Sequence, residues 1–429
     1  MKKKIETKPF DRYKIPPKQN LFFMPVIWLW CWIATRKGRL KITKVRMKGL
    51  KPPYIVLGTH QAFSDFFVTP LALFPHRANY ISELEGFEAY GEWLYRQAGC
   101  LGTRKFVNDI ALIRNIRRVI ARKGILAYYP EARYANAGTS SELPESVGKL
   151  VKLLKAPVVT INMKGNYLQS PIWNLKIRKE AQQEAVITQI YTREELEAAD
   201  IPEINERISQ YLSYDEYAWQ FETKTAITYE KRAEGLELVL YKCPSCGAEF
   251  EMITKGADIM CRSCGFRRHM TEYGRMEEGT HAFSVRKSSD GFTHIPDWYE
   301  WERNCTKQEI DEGKYSLNVK VHIESLPNAV NFIDLSTGIL RHTKDGFSLT
   351  YCEYGESQER TLSFSPSTMI SVHTEYDYRG KGQCITLSTL DNTYFLFPLE
   401  PGFNVTKIQF AAEYLYKLSK SSDRINSNK

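Results

Sequence analysis

The chain has 429 residues, 43% of them apolar, which suits two or three domains with sizeable cores. Its formal charge of +9 is lopsided: residues 1–51 hold fifteen Lys or Arg against two acidic residues, +13, which leaves −4 for everything beyond. That distribution argues against a nucleic-acid partner, and a count of nine cysteines, five of them scattered, argues against a disulfide framework and fits a reducing cytosol.

Within the basic arm, Leu21–Ala34 is a run of fourteen residues without a charge. As a helix it would be ~21 Å long against a hydrocarbon core of ~30 Å, too short to span comfortably. Trp28, Trp30 and Trp32, followed by Thr35-Arg-Lys-Gly-Arg39, favour a helix lying in one leaflet with its rings at headgroup level. A secretory signal is disfavoured because no small-x-small cleavage site follows Ala34. Residues 1–50 are therefore expected to form a basic arm and interfacial membrane helix. They place the protein at the cytoplasmic face of the cell membrane, monotopic or peripheral, where anionic lipid adds about 1 kcal/mol per nearby basic residue.

Tyr54–Thr59 reads as a buried strand and Phe66–Phe74 as a helix, so His60 and Asp65 fall on the strand-to-helix turn between them. A helix over about 108–122 and an apolar strand, Gly124–Tyr129, follow, and the latter runs into Tyr129-Pro-Glu-Ala-Arg133. Alternating strands and helices imply a largely parallel sheet with its chemistry at strand ends. A neutral imidazole takes a proton from an attacking alcohol, and a carboxylate on its other nitrogen fixes the tautomer and stabilises the imidazolium. The plainer readings are that Asp65 caps a helix, that Arg104 and Lys105 are a solvated charge pair, and that Glu131 opens a turn after Pro130.

From Tyr54 to Tyr167 the sequence resembles the glycerolipid acyltransferases, a family that includes lysophosphatidic acid acyltransferase. The resemblance lies in four blocks: His60-Gln-Ala-Phe-Ser-Asp65, Gly99-Cys-Leu-Gly-Thr-Arg104, Tyr129-Pro-Glu-Ala-Arg133 and Ala156-Pro-Val-Val-Thr-Ile-Asn162. It implies that His60 is the catalytic base with Asp65 as partner, and that Arg104, Glu131 and Arg133 bind the acceptor. The planar fork of an arginine suits a phosphate. The third block departs from the family's F-P-E-G-T-R: Ala132 replaces Gly, the Arg arrives one position early, and Tyr134 stands in the usual Arg place.

What the resemblance implies is a membrane-associated enzyme that moves a fatty acyl group from acyl-CoA or acyl carrier protein to a lysophospholipid hydroxyl, with 1-acyl-sn-glycerol-3-phosphate as first choice. Two alternatives stand beside it: the same chemistry on glycerol-3-phosphate or another lysolipid, and a non-catalytic zinc-ribbon adaptor.

A strand at Val186–Tyr191 and aromatic helical segments over 205–229 close an α/β acyltransferase domain at 51–230. Cys243-Pro-Ser-Cys246 and Cys261-Arg-Ser-Cys264 follow, with fourteen residues between the pairs and a Gly after each. Thiolates two positions apart on a glycine-terminated knuckle face one ion, which predicts a zinc ribbon over 238–272, closed and structural. Iron in a rubredoxin-like site is the alternative metal. Residues 273–304 read as a linker. Over 305–420 short β-like segments and a helical spacing at Val405–Leu418 resemble, in architecture only, a pleckstrin-homology-like β-barrel capped by a C-terminal helix.

Overall fold

A computed structural model describes residues 8–278, 292–400 and 403–427. The chain is mixed α/β and divides into two compact units: an N-terminal unit of Asp11–Thr103 and Asn108–Tyr229, and a C-terminal unit from Glu230 onward that also takes in Arg104–Val107.

The N-terminal unit begins with α1 (Met24–Thr35) and a 3-10 turn at Arg36–Gly38. There follow β1 (Lys41–Val45), β2 (Tyr54–Gly58), α2 (Asp65–Leu73), β3 (Ala78–Glu83), α3 (Leu84–Tyr90), α4 (Glu92–Gln97), β4 (Cys100–Thr103), α5 (Ile110–Ala121) and β5 (Ile125–Tyr128). The second half holds α6 (Ser146–Leu154), β6 (Val158–Lys164), α7 (Asn166–Gln169), β7 (Glu184–Tyr191), α8 (Arg193–Ala198), α9 (Ile201–Leu212) and α10 (Glu216–Glu222).

The seven strands form one sheet in the order β1-β7-β6-β2-β5-β3-β4, parallel at every pairing except β6 with β7. Apolar residues alternate between its faces. Ile55, Leu57, Leu126 and Val158 pack with α5, α6 and α9 through Val119, Val151 and Ile208, while Val56, Ala127, Val159 and Ile161 pack with Val68 and Ala72 of α2. Burial on both faces is why β2, β5 and β6 read as continuous apolar runs rather than as alternating strands. Each wholly buried aliphatic side chain contributes roughly 1.5–3 kcal/mol.

Local chemistry sets the helix starts. The Asp109 carboxylate accepts from the Ala111 and Leu112 amides and opens α5, and Asp200 accepts from the Glu203 amide at the start of α9. Helix α1 buries Met24, Cys31 and Thr35, while Val26, Leu29, Trp30, Trp32 and Ile33 are each more than half exposed. Its ring contacts run to α2, Trp28 with Phe74 and Trp30 with Phe67, and Phe23 just before it meets Trp93 of α4. Among the described residues no helix is long and apolar enough to cross a membrane.

The C-terminal unit starts with a four-stranded antiparallel ribbon, β8 (Met252–Lys255), β9 (Asp258–Cys261), β10 (Arg267–Met270) and β11 (Met276–Glu278), in the order β11-β10-β9-β8. Of the stretch expected as a linker, 276–278 pair as β11 and residues from Ile295 belong to α11 (Ile295–Asp311), while 279–291 lie outside the described residues. Trp298 explains the helix. Its ring is fully buried and its indole N–H donates to the Lys242 carbonyl at 3.1 Å, so the apolar pattern that begins there packs on the ribbon.

Beyond it lie β12 (Leu317–Ser325), β13 (Ile333–Thr343), β14 (Gly346–Cys352), β15 (Glu359–Phe364), β16 (His373–Glu375), β17 (Cys384–Ser388), β18 (Thr393–Pro398) and α12 (Val405–Ser427). Where a small barrel was expected, these strands form a seven-stranded antiparallel sheet, order β15-β14-β13-β12-β18-β17-β16, whose edges are β15 and β16. Val405, Ile408, Ala411, Ala412 and Leu415 of α12 are all buried.

Candidate active site and four-thiol cluster

Three neighbouring parallel strands, β5, β2 and β6, release the chain at the same edge of the sheet, and the polar cluster sits there. His60 follows β2, Glu131 follows β5 and Asn166 follows β6. Asp65, the first residue of α2, turns back under the imidazole: His60 Nδ1 lies 3.2 Å from Asp65 Oδ2. The same oxygen accepts from the Gln61 amide at 2.6 Å and the Ala62 amide at 3.1 Å, and Oδ1 accepts from Asn166 Nδ2 at 2.7 Å. Asp65 has no solvent exposure and His60 only 5%. Facing a group that accepts on every side, Nδ1 carries the proton, which leaves the lone pair on Nε2. Among the described residues no hydrogen bond occupies Nε2.

Aromatic rings fix the imidazole from its sides. Tyr129 stacks on it at 4.5 Å and 9°, Phe66 meets it edge-on at 5.7 Å, and Tyr134 lies tilted at 4.5 Å. Tyr129 is held by Thr69 at 2.9 Å and by the Asp65 carbonyl at 3.2 Å, so the ring that stacks on His60 is tied to the helix that carries its partner.

The residues expected to bind an acceptor are placed differently from one another. Glu131 is buried, its Oε1 accepting from the His60 amide at 3.3 Å and its Oε2 from the Ser141 amide at 2.8 Å. Burial pushes its carboxyl up to about 7, opposed by those two amides and by Arg133. Glu131 thus ties the backbone of His60, through Oε1, to that of Ser141, through Oε2. Arg133 is also buried, with Nε and Nη2 at 3.4 and 3.3 Å from Ser141 Oγ.

Arg104, expected to clamp a phosphate, belongs to the C-terminal unit. Its Nη1 donates to the Leu326 carbonyl and Thr393 Oγ1, both at 2.8 Å, and its Nη2 to the Pro327 and Asp391 carbonyls, both at 3.0 Å. A phosphate on this guanidinium must displace those oxygens. Lys105 sits 3.0 Å from His373 Nδ1 rather than in solvent.

Several members of the cluster carry no sequence signal of their own. Gln61 Nε2 donates to the Met163 carbonyl at 2.6 Å and to Glu216 Oε1 at 3.2 Å, and Glu216 Oε2 accepts from the Gly165 amide at 2.7 Å. Burial pushes the Glu216 carboxyl up to about 8. Asn166 directly follows Gly165, whose φ of 82° turns the chain out of β6. A strand ending in Gly-Asn is the one hint the sequence offered.

In the C-terminal unit the four cysteine sulfurs come together within 4.8 Å of one another. Cys243 Sγ and Cys264 Sγ are 3.6 Å apart, Cys246 Sγ and Cys261 Sγ 3.8 Å. Four thiolates at ~2.3 Å around a tetrahedral zinc stand ~3.8 Å apart, so the cluster fits that ion. The amides of Gly247 and Gly265, each at φ 75°, donate to the carbonyls of Cys243 and Cys261 and close the two knuckles. Lys242 and Glu249, which flank the first pair, join Glu309 of α11 and Lys407 of α12 in one network of four charges, with separations from 2.6 to 3.4 Å.

No protein-family model and no curated protein matches this sequence. Among solved structures the chain is similar to the 1-acyl-sn-glycerophosphate (LPA) acyltransferase PlsC from Thermotoga maritima, with 13% identity and a TM-score of 0.38 over 44% of this chain and 77% of that one.

Proposed function

We propose that the N-terminal unit is an acyltransferase that transfers a fatty acyl group from a thioester, acyl-CoA or acyl carrier protein, to the free hydroxyl of a lysophospholipid, with 1-acyl-sn-glycerol-3-phosphate as the leading acceptor. The observation that carries the reading is the buried His60–Asp65 pair at the end of a central parallel strand, with Nε2 left open. Nε2 takes the hydroxyl proton as the oxygen attacks the thioester carbonyl. The C–O bond forms, the C–S bond breaks, and the imidazolium returns the proton to the departing thiol. Asp65 stays an acceptor throughout and stabilises the transient imidazolium. No enzyme-bound acyl intermediate is needed.

The half-exposed α1, with three tryptophans and a basic stretch after it, supports attachment to the cytoplasmic surface of a membrane. Arg133 is the cation proposed to meet the acceptor. Arg104 takes that role only if its four oxygen partners are released. Tyr134, lying against His60 where the family places an arginine, favours a second reading in which the acceptor is another lysolipid or glycerol-3-phosphate. Seven antiparallel strands followed by one helix support a pleckstrin-homology-like reading of the C-terminal sheet, with a docking or regulatory role, and the four thiols support structural zinc.

The test is direct. Purified protein is incubated with labelled acyl-CoA or acyl-loaded carrier protein and a panel of lysolipids, and the products are identified by mass spectrometry. Transfer that disappears in His60→Ala, with circular dichroism unchanged, supports the reading; transfer that survives it removes His60 as the base.

A further inference from the structure

We propose that Asn166, locked by Gln183, is a positioning residue for the His60–Asp65 pair. A turn about the Asp65 Cβ–Cγ bond, a torsion with broad minima, carries both carboxylate oxygens with it; three donors converge on Oδ2, and a bond to Oδ1 opposes the same turn from the other side. The 2.7 Å bond from Asn166 Nδ2 to Oδ1 stops that turn and so aims the Oδ2 lone pair at His60 Nδ1. Asn166 lies 101 positions from Asp65, on the short helix after β6, and has no solvent exposure. It acts on the imidazole only through the carboxylate.

An asparagine performs this task only in one orientation, because its amide flipped by 180° would set an oxygen against the carboxylate. Gln183 excludes the flip. Its Nε2 donates to Asn166 Oδ1 at 2.7 Å, so a flipped Asn166 would face acceptor with acceptor on one side and donor with donor on the other. Gln183 itself is 1% exposed and pinned by its backbone: its amide donates to the Gly38 carbonyl at 2.8 Å and its carbonyl accepts from the Lys41 amide at 3.0 Å. The result is a one-way chain, Gln183 to Asn166 to Asp65 to His60, in which each link sets the polarity of the next. Gln183 Nε2 also donates to Gln169 Oε1 at 3.3 Å, which holds its amide the same way round, while Gln183 Oε1 is buried without a partner among the described residues; a buried hydrogen-bonded chain of this kind rigidifies whatever it ends on.

The kinetic consequence rests on the acyl-transfer reading; the geometric one does not. The experiment uses the full chain with Asn166→Ala and Gln183→Met, the latter leaving Asn166 in place. The first readout is the low-field proton resonance of the His60 imidazole, assigned by its loss in His60→Ala. The second is steady-state acyl transfer. Asn166→Ala is expected to shift or broaden that resonance and to lower kcat about 10–100-fold, with both KM values within about twofold, the scale of losing a group that orients a reacting one. Gln183→Met acts in the same direction, more weakly.

An unchanged resonance in folded Asn166→Ala overturns the proposal, as does a raised acceptor KM at unchanged kcat, which would mark substrate contact instead. If Asn166→Ala does not fold, Gln183→Met decides by the same readouts. If the wild type transfers no acyl group at all, the functional reading falls by itself, and the resonance alone upholds or overturns the positioning role.

Discussion

Asp65→Asn tests the cluster at its most constrained point. The carboxylate accepts four hydrogen bonds, three on Oδ2 and one on Oδ1, whereas an amide offers one accepting oxygen and a donor. The introduced amide keeps its oxygen toward Gln61, Ala62 and His60, and its nitrogen then confronts Asn166 Nδ2. Asn166 relieves the clash by flipping, but that turns its nitrogen onto Gln183 Nε2, and a flip of Gln183 strands the conflict in a buried site. One orphaned donor and the loss of charge-assisted bonds cost about 2–4 kcal/mol. For a unit of this size the melting temperature falls by about 5–15 °C. Turnover falls by about 10³–10⁴, because the imidazolium loses its counter-charge and the imidazole its enforced tautomer.

The double change Asp65→Asn with Asn166→Asp separates these effects. The carboxylate now sits one link along the chain, where it accepts from Gln183 and from the new amide at position 65. Stability is expected to return to within about 1 kcal/mol of wild type, and turnover to stay at least about 100-fold down. Melting by circular dichroism and acyl-transfer rates on the same preparations give both numbers. No recovery of stability refutes the hydrogen-bond chain, and recovered turnover refutes the need for charge beside the imidazole.

Arg104→Lys replaces a fork that reaches four oxygens with three donors on one nitrogen, so it should destabilise the C-terminal unit by about 1–3 kcal/mol and lower its melting temperature accordingly. A higher acceptor KM with unchanged melting would return Arg104 to phosphate binding. The four thiols should hold one zinc per chain by elemental analysis, and its removal by a chelator should unfold the ribbon, since structural zinc supplies roughly 10–16 kcal/mol in finger peptides. A chelated protein with an unchanged melt would contradict this.

Burial holds the His342 imidazole down at about 3, with Nδ1 2.9 Å from the Tyr315 hydroxyl and the ring stacked on Phe347 at 3.7 Å. The unfolded chain takes up that proton near ~6.5, so stability present above this pH is lost as the pH falls toward 3, about 3 kcal/mol between pH 7 and 4. His342→Asn keeps an acceptor for Tyr315 and lacks this loss. Urea unfolding should show the gap between wild type and variant narrowing by that amount over the interval, and a constant gap would refute the assignment.

The elements that position the site were legible because each rests on a local rule. The apolar runs of β2, β5 and β6 and the turn from His60 to Asp65 all announce themselves within ten residues. The four cysteines did so through spacing. Partnerships across the chain did not. Arg104 reads as a phosphate clamp or a surface charge with equal ease, since nothing at position 104 reveals that its oxygens come from Leu326, Pro327, Asp391 and Thr393. Glu216 and Asn166 are ordinary helix-start residues until Gly165 and Gln61 bring them behind Asp65. Helix α11 was hidden because the polar stretch before it, rather than Trp298 within it, set the reading of 273–304.

The junction of Gly38 with Gln183 couples the N-terminal segment to the polar cluster. A side chain at position 38 would collide with the Gln183 amide, and the two backbones are bonded there. The turn that ends α1 and the outermost brace of the His60–Asp65 pair therefore meet at one contact, Gly38 against Gln183. A chimera that exchanges α1 must join before Arg36 and keep the glycine, because a graft that bulges at this point loosens the imidazole.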